Sequence, residues 1–534
     1  MLVARKSGFG AGAVQVAGAL LACAALLGAV LPGAARAEAP QRAPVPLARA
    51  FAAPAPVLPE DGSAIRARLG LSGNVGWALA DLATGEVIDS HEAERSFAPA
   101  SVTKLPTALY ALHELGAEHR FETRLLATGP VAGGVLRGDL VLVGGLDPEL
   151  DTDMLDGLAE ALERARIGKI TGRFLVDPGV ALTVEAIDPQ QPVDVAYNPG
   201  IAGLNLNFNR VFLRWGPRVG TGSGGDGVSL TAKAQRLDPP VSSVKAVVGG
   251  ETGTRYGFVH RIEADREVWG LAERVLKGRG SRWLPVKRPA LYAADVLRSL
   301  AQARGIRLPV PQLGRSAEGD GAPRLLARVQ SRPLAPILRD MLKYSTNITA
   351  EVVGTAASFS AGAVPATLTQ SAALMNAWAT QIAGGAPGDP RMRFVNHSGL
   401  TTESRVSPLR MVQFLVAATR LAHGPIPGTS RLPGAGALLL RDYSVAVEDD
   451  PIPLDEVEIR AKTGTMDYIR GLAGYIQAEG DRRYAFAIFS NDLRKRGAPR
   501  RGIDRSWMNR ARGFERALIR SWIQRFGSFV PQGG

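Results

Sequence analysis

Residues 99–104 read Pro99-Ala100-Ser101-Val102-Thr103-Lys104, and the run that follows places Leu105, Leu109, Leu112 and Leu115 on one side of a helix. The stretch reads as a serine at a helix start with a lysine one turn on. Positions i and i+3 share a helix face, so the hydroxyl and the amine are neighbours. A helix start also leaves backbone N–H groups free, which favours negative charge developing beside the serine. An unprotonated amine at that distance can take the serine's proton, the usual way a weak hydroxyl nucleophile is activated. Pro106 is an oddity here, since it removes one backbone hydrogen bond early in the helix and can tilt the first turn.

Working outward, Asn74 to Asp89 reads as strand, turn, strand, with Val75, Trp77 and Leu79 on one face and the turn at Ala83-Thr84-Gly85. From about 121 to 325 the texture changes to short β-like runs between Gly-rich turns, read as an inserted, mainly β region of two small domains without a fixed repeat. Helical patterns return at Leu334–Leu342, Ala350–Ala357, Leu368–Ile382 and Pro408–Leu421. The chain then gives strands at Val457–Lys462, Leu472–Ile476 and Tyr484–Ser490 and a helix near Trp507–Phe526. Strands at both ends with helices between them predict one α/β domain, residues 61–120 and 326–534, whose antiparallel sheet is completed by the C-terminal part.

Two further short motifs carry chemistry. Ser345-Thr346-Asn347 follows a helix and offers a hydroxyl and an amide, suited to passing a proton and holding a peptide group. Lys462-Thr463-Gly464, with Thr465 after it, falls at a strand end. The lysine gives a point charge, the glycine permits close backbone approach, and the strand edge can pair with an extended peptide. Each motif has decoys. Ser242-Ser243-Val244-Lys245 is followed by Gly249-Gly250, Ser72-Gly73-Asn74 precedes every candidate nucleophile, and Lys6-Ser7-Gly8 lies in the N-terminal segment. Gly220-Thr221-Gly222 with Gly225 mimics a dinucleotide loop but leads into a β-like run, so it reads as a hairpin turn. Only Ser101, Ser345 and Lys462 fall in a consistent order on suitable elements.

Ser-x-x-Lys, Ser-x-Asn and Lys-Thr-Gly in this order resemble the signature of penicillin-binding proteins and serine β-lactamases. The long gap between Ser101 and Ser345, Pro99-Ala100, Gly144-Gly145-Leu146-Asp147-Pro148 and Asn205 to Val211 narrow the likeness. Over nearly the whole mature chain it is similar to the D-alanyl-D-alanine carboxypeptidase/endopeptidase family, the class C low-molecular-mass penicillin-binding proteins of the penicillin-binding protein 4 type. One departure stands out. Many members carry Asp-Gly-Ser-Gly-Leu-Ser where this chain has Asn396-His397-Ser398-Gly399-Leu400-Thr401, so no acid can be carried over. Residues 397–399 are placed in a loop lining the cleft. His397 reads either as a ligand contact or, preferably, as a loop histidine hydrogen-bonded locally.

The resemblance implies a fold and a reaction. The fold is a serine β-lactamase/penicillin-binding transpeptidase-like domain of α/β class carrying the long insert. Ser101 attacks the carbonyl of the penultimate D-Ala, or the amide of a D-Ala–diaminopimelate cross-link. Lys104 serves as the base, which requires its pKa to fall from about 10.4 to near neutrality. Ser345 relays the proton and Asn347 holds the substrate amide. Lys462, Thr463 and Thr465 bind the terminal carboxylate beside Gly464, and the backbone N–H groups of Ser101 and Thr465 form the oxyanion hole. The implied partners are peptidoglycan stem peptides and cross-links, and β-lactam antibiotics. A β-lactamase and a non-catalytic wall-binding scaffold are the alternatives.

Composition bounds these readings. Of 534 residues 46% are hydrophobic and 21% charged, with 61 Gly and 36 Pro, which suits a loop-rich globular chain and excludes wholesale disorder. Net charge is +13 and is not gathered into an arm. Attraction to polyanions follows, but nucleic acid is not the expected partner. Arg5 and Lys6 precede a mostly apolar run over 11–30, and Ala35-Arg36-Ala37 has the small-x-small form of a cleavage site. This predicts a signal peptide over 1–37, export to the periplasm, and an Ala/Pro-rich linker over 38–60. A retained anchor or a lipidated Cys23 are the alternatives. Cys23 is the single cysteine, which excludes disulfides from the mature chain, and the six His show no ligand spacing. No metal or cofactor is expected, and any membrane contact is peripheral. Arg494-Lys495-Arg496 with Arg500-Arg501 reads as a solvated loop.

Overall fold

A computed structural model describes residues 59–527 except 181, 217–226, 250–256, 265, 316–322, 422–433, 446–456 and 498–501. The expected signal peptide, the linker up to residue 58, the Gly220–Gly225 turn and Arg500-Arg501 lie outside the described residues.

An antiparallel five-stranded sheet positions everything else. In chain order its strands are β1 (Asn74–Asp81), β2 (Val87–His91), β3 (Glu458–Met466), β4 (Ile469–Gln477) and β5 (Arg483–Asn491). Across the sheet the order is β3-β4-β5-β1-β2. The N-terminal hairpin thus pairs through β1 with β5, more than 400 positions later, as expected. Residues 74–81 do not show the simple one-faced burial that a half-exposed strand has. Ala78 and Ala80 pack into one core and Val75, Trp77 and Leu79 into another, because helices cover both faces of the sheet.

Helices α1 (Gly62–Leu69) and α7 (Arg505–Trp522) lie on one face, with Phe514, Leu518 and Trp522 of α7 buried against the strands. On the other face lie α2 (Lys104–Leu115), α3 (Leu334–Tyr344), α4 (Asn347–Ser360), α5 (Leu368–Ile382) and α6 (Pro408–Ala418). The central element is α2, buried from Lys104 to Leu112 without an exposed side. Ser101 precedes it in a single 3-10 turn, Ala100–Thr103. Pro106 is therefore the third residue of α2, where the amide has no intrahelical acceptor in any case, so the proline costs no hydrogen bond.

Between α2 and α3 the described residues form a mixed five-stranded sheet, ordered Pro311–Leu313, Phe174–Asp177, Leu140–Val143, Glu122–Ala127 and Arg324–Gln330, and three small three-stranded sheets. Strand dominates, as expected. Two helices that the sequence reading did not name, Thr152–Arg164 and Pro289–Ala303, pack on each other and on this β structure. Asn207, Phe208 and Asn209 all have φ between 51 and 56°, in the left-handed region. Three such residues in a row are costly, roughly 1–2 kcal/mol each. Buried amides hold them: Asn207 exchanges hydrogen bonds with Thr152, and Asn209 Nδ2 donates to Gly200 O and Asn205 Oδ1.

Candidate active site

Four segments converge at the open edge of the sheet. The 3-10 turn and α2 bring Ser101 and Lys104, the α3–α4 junction brings Ser345 and Asn347, and β3 brings Lys462 to Thr465. The fourth is the 396–401 loop. Ser345 ends α3 in the left-handed conformation (φ 58°), which turns the chain sharply enough for Asn347 to open α4.

Lys104 is fully buried, and its Nζ has three partners: Ser101 Oγ at 2.9 Å, Asn347 Oδ1 at 2.8 Å and Ser398 O at 2.8 Å. The amide and backbone oxygens can only accept. A neutral amine has two hydrogens and one lone pair, so the hydrogens go to those oxygens and the lone pair is left facing the Ser101 hydroxyl. Burial lowers the Lys104 pKa to about 7, with the Glu351 carboxyl opposing the shift. A neutral amine is thus accessible near neutral pH. Glu351 is itself fully buried on α4, where desolvation raises its pKa. It accepts the backbone N–H groups of His397 and Ser398, fixing the loop whose carbonyl faces Lys104.

Lys462 Nζ donates to Ser345 Oγ at 3.0 Å and to Thr463 O at 2.8 Å. Its pKa falls well below the usual lysine value, first through burial and then through the neighbouring charges of Lys104, Arg441 and Arg470. The two lysines, from elements 358 positions apart, thus flank one cluster of hydroxyls. The Lys-Thr-Gly triad lies inside strand β3 rather than at its end. Among the described residues β3 is an edge strand, and the 441–443 segment hydrogen-bonds to it at Ile459 and Ala461. By the alternation of an antiparallel strand, the backbone groups of Thr463 and Thr465 also point outward, towards the open edge.

Gly464 has a different job from the one expected. A Cβ there would lie 2.3 Å from Pro99 O and 3.2 Å from Ser101 N, so the missing side chain lets β3 close on the turn that carries Ser101. Thr465 Oγ1 accepts from Arg470 Nη1 at 2.8 Å. Arg470 is locked by a buried fork to Glu515 on α7, with contacts of 2.8–3.0 Å.

The 397–399 loop divides. Ser398 turns its carbonyl to Lys104, and Gly399, at φ 75°, sits hard against the Ala100 carbonyl. The His397 side chain points away from the cleft, which excludes it as a ligand contact. It is fully buried over Gly354, its Nε2 pairs with Ser371 Oγ at 2.8 Å, and burial lowers its pKa to about 3. Asn396, in place of the acid, is also buried and uses its Oδ1 to accept from Gly399 N, a local loop bond. Arg496, expected in a solvated loop, is buried. The sequence reading missed Glu351, Arg470, Glu515 and Tyr197, whose carbonyl accepts from Asn347 Nδ2 at 3.0 Å. The α4 carboxylate carried a signal, standing one turn after Asn347 within an apolar helix. The others meet the site only through tertiary packing.

The fold is that of the penicillin-binding proteins. The solved structure of penicillin-binding protein 4 (dacB) from Haemophilus influenzae aligns with a TM-score of 0.66 at 22% identity, covering 86% of this chain and 99% of that one. The sequence matches the D-Ala-D-Ala carboxypeptidase 3 (S13) family model over residues 67–508, and the chain belongs to this family of serine-type D-Ala-D-Ala carboxypeptidases. Among its relatives, the D-alanyl-D-alanine carboxypeptidase of Actinomadura sp. (strain R39) is 28% identical over 81% of each chain. The D-alanyl-D-alanine carboxypeptidase DacB of Haemophilus influenzae is 24% identical over 78% of this chain and 85% of its own.

Proposed function

We propose that this enzyme is exported to the periplasm and cleaves the terminal D-Ala of peptidoglycan stem peptides, and D-Ala–diaminopimelate cross-links, through an acyl-Ser101 intermediate. The observation that carries the reading is the bonding of Lys104. Two acceptor oxygens use its two hydrogens, which leaves the lone pair for Ser101.

In the first step Lys104 takes the Ser101 proton as Oγ bonds to the peptide carbonyl carbon. The oxyanion is met by the backbone N–H groups of Ser101 and Thr465, the second of which faces the open edge of β3. The Ser345 hydroxyl, 3.0 Å from Lys462 Nζ, relays the proton that Lys104 took from Ser101 to the leaving amine as the C–N bond breaks, with Lys104 or Lys462 completing the path, so Lys104 is neutral again and Ser345 is reprotonated. The leaving group's carboxylate lies against Lys462, Thr463 and Thr465, and its charge favours protonated Lys462. Asn347 holds the acyl-side amide. Water, deprotonated by the same amine, then adds to the ester and frees Ser101.

The same nucleophile is expected to take β-lactams covalently, and the structurally similar Haemophilus influenzae protein has been solved with one. We read residues 121–325 as an insert in a catalytic domain of 61–120 and 326–534, with residues 1–37 a signal peptide. The deciding experiment is incubation with cross-linked and uncross-linked muropeptides, wild type against Ser101→Ala. D-Ala release, dimer cleavage or both are expected, and all are absent from the variant. Release that persists in Ser101→Ala defeats the reading.

A further inference from the structure

Within the inserted region lies a cavity of about 440 Å³ that shares no residue with the catalytic cluster. It opens between the strand Val244–Val248, the helix Pro289–Ala303 and the strand Pro311–Leu313. The chain's second Ser-x-x-Lys run, Ser242-Ser243-Val244-Lys245, forms part of the wall. Its lysine stands on a strand, so it cannot pair with a serine as Lys104 does on α2.

The charge in this wall is unbalanced. The described residues lining it carry four cations, Lys245, Arg266, Arg288 and Arg298, against one carboxylate, Asp295. Asp295 is occupied, since it accepts the backbone N–H groups of Ser242 and Ser243 and the Ser242 hydroxyl. Arg298 Nη1 stands 3.7 Å from it. The Arg288 guanidinium donates to the Ala264 carbonyl at 3.2 Å and meets no carboxylate among the described residues. Lys245, half-buried, has neither ion pair nor hydrogen bond there. Beside it the Ser243 hydroxyl is buried without a partner. Cations gathered without anions and a buried hydroxyl left unpaired are both unfavourable unless a ligand completes them. The rim is apolar: Val310 and Leu313 are exposed large side chains, and Leu291 lies beside them in the wall.

We propose that this cavity is a non-catalytic docking site for a second peptide of the wall polymer, one that is held but not cut, with Lys245, Arg288 and Arg298 taking its carboxylate and Leu291, Val310 and Leu313 packing its aliphatic part. The assignment rests on the peptidase reading above. A polymer presents the same anionic peptide many times. A second, weaker grip on it raises the effective concentration of scissile peptides at Ser101 without any new contact there. Guanidinium forks suit carboxylates, and the cavity has room for more than the anion alone.

The test measures cosedimentation of the Ser101→Ala protein with insoluble peptidoglycan, native and with its carboxylates converted to amides, so that binding is read without turnover. Lys245→Glu is compared with Lys169→Glu, which reverses an exposed lysine of the inserted region outside the cavity and changes the net charge equally. Lys245→Glu is expected to weaken binding to native peptidoglycan by about tenfold or more, the effect of one charged contact. Lys169→Glu stays within about threefold, and on the amidated polymer the two variants bind alike. Lys245→Gln, which removes the charge without reversing it, gives part of the loss. With Ser101 intact, Lys245→Glu slows D-Ala release from the polymer and leaves release from a soluble N-acetylated D-Ala-D-Ala peptide within about twofold. Equal weakening by the two reversals assigns the binding to diffuse positive charge and overturns the proposal. Binding that amidation leaves unchanged overturns it too, as does Lys245-dependent sedimentation with phosphatidylglycerol vesicles but not with peptidoglycan. A wild type that releases no D-Ala from the soluble peptide refutes the peptidase reading itself, whatever the sedimentation shows.

Discussion

Gly464→Ala tests whether the site depends on the contact between β3 and the nucleophile's turn. The added Cβ would sit 2.3 Å from Pro99 O, against the 3.0 Å below which real Cβ contacts are essentially absent. The strand or the turn must therefore yield by about 0.7 Å, and both atoms at the contact are backbone-bound rather than flexible side-chain ends. Either movement separates Ser101 N from Thr465 N, the two donors proposed for the oxyanion hole. A misplacement of this order costs about a hundredfold in a reaction governed by positioning, against about 1–3 kcal/mol of global stability. The assay is the second-order rate of labelling by a fluorescent penicillin, with calorimetry in parallel. The expected result is a labelling rate lower by about thirtyfold to a hundredfold in a protein that still melts cooperatively. Labelling within a factor of about three of wild type would refute the claim that this contact sets the geometry.

Three further outcomes follow from the same coordinates. Acylation should rise with pH through a midpoint near 7, because the reactive form of Lys104 is the neutral one and lies above its depressed pKa; a rate flat from pH 6 to 8 would contradict this. Lys104→Arg should abolish labelling by about a thousandfold or more, since a guanidinium stays charged and cannot take the proton, and mass spectrometry of the penicilloyl adduct reads it directly. Glu515→Ala leaves the buried Arg470 guanidinium unpaired and should destabilise the protein by about 3–5 kcal/mol in denaturant titration.

The part of the site visible in the sequence was the part built locally. Ser101 and Lys104 are one turn apart, so helical spacing alone put them together. Ser345 and Lys462 could be joined to them only by resemblance, because nothing in a linear chain says that residue 462 returns beside residue 104. The Ser398 carbonyl was not legible, and Glu351 showed only as a carboxylate in an apolar helix, because their partners, the Lys104 amine and the 397–398 backbone N–H groups, are reached through tertiary packing. The Gly464 case is instructive in another way. The sequence offered a glycine in a suggestive place, and the reading assigned its empty side chain to the substrate, whereas the protein itself uses that space. The helix Thr152–Arg164 did have a signal, with Asp151 capping and Leu155, Leu158 and Leu162 in helical register, obscured by the Gly-rich runs around it.

Strand β1 sits between β2, its hairpin partner, and β5, one of the final elements of the chain. Ser101 is thus synthesised early, and the sheet that shapes its surroundings closes late. A nascent polypeptide that has not yet produced residues 483–491 carries the nucleophile and its amine but no floor to hold them against. A product terminated before residue 483 lacks the central strand of that sheet and is expected to be inert rather than partly active.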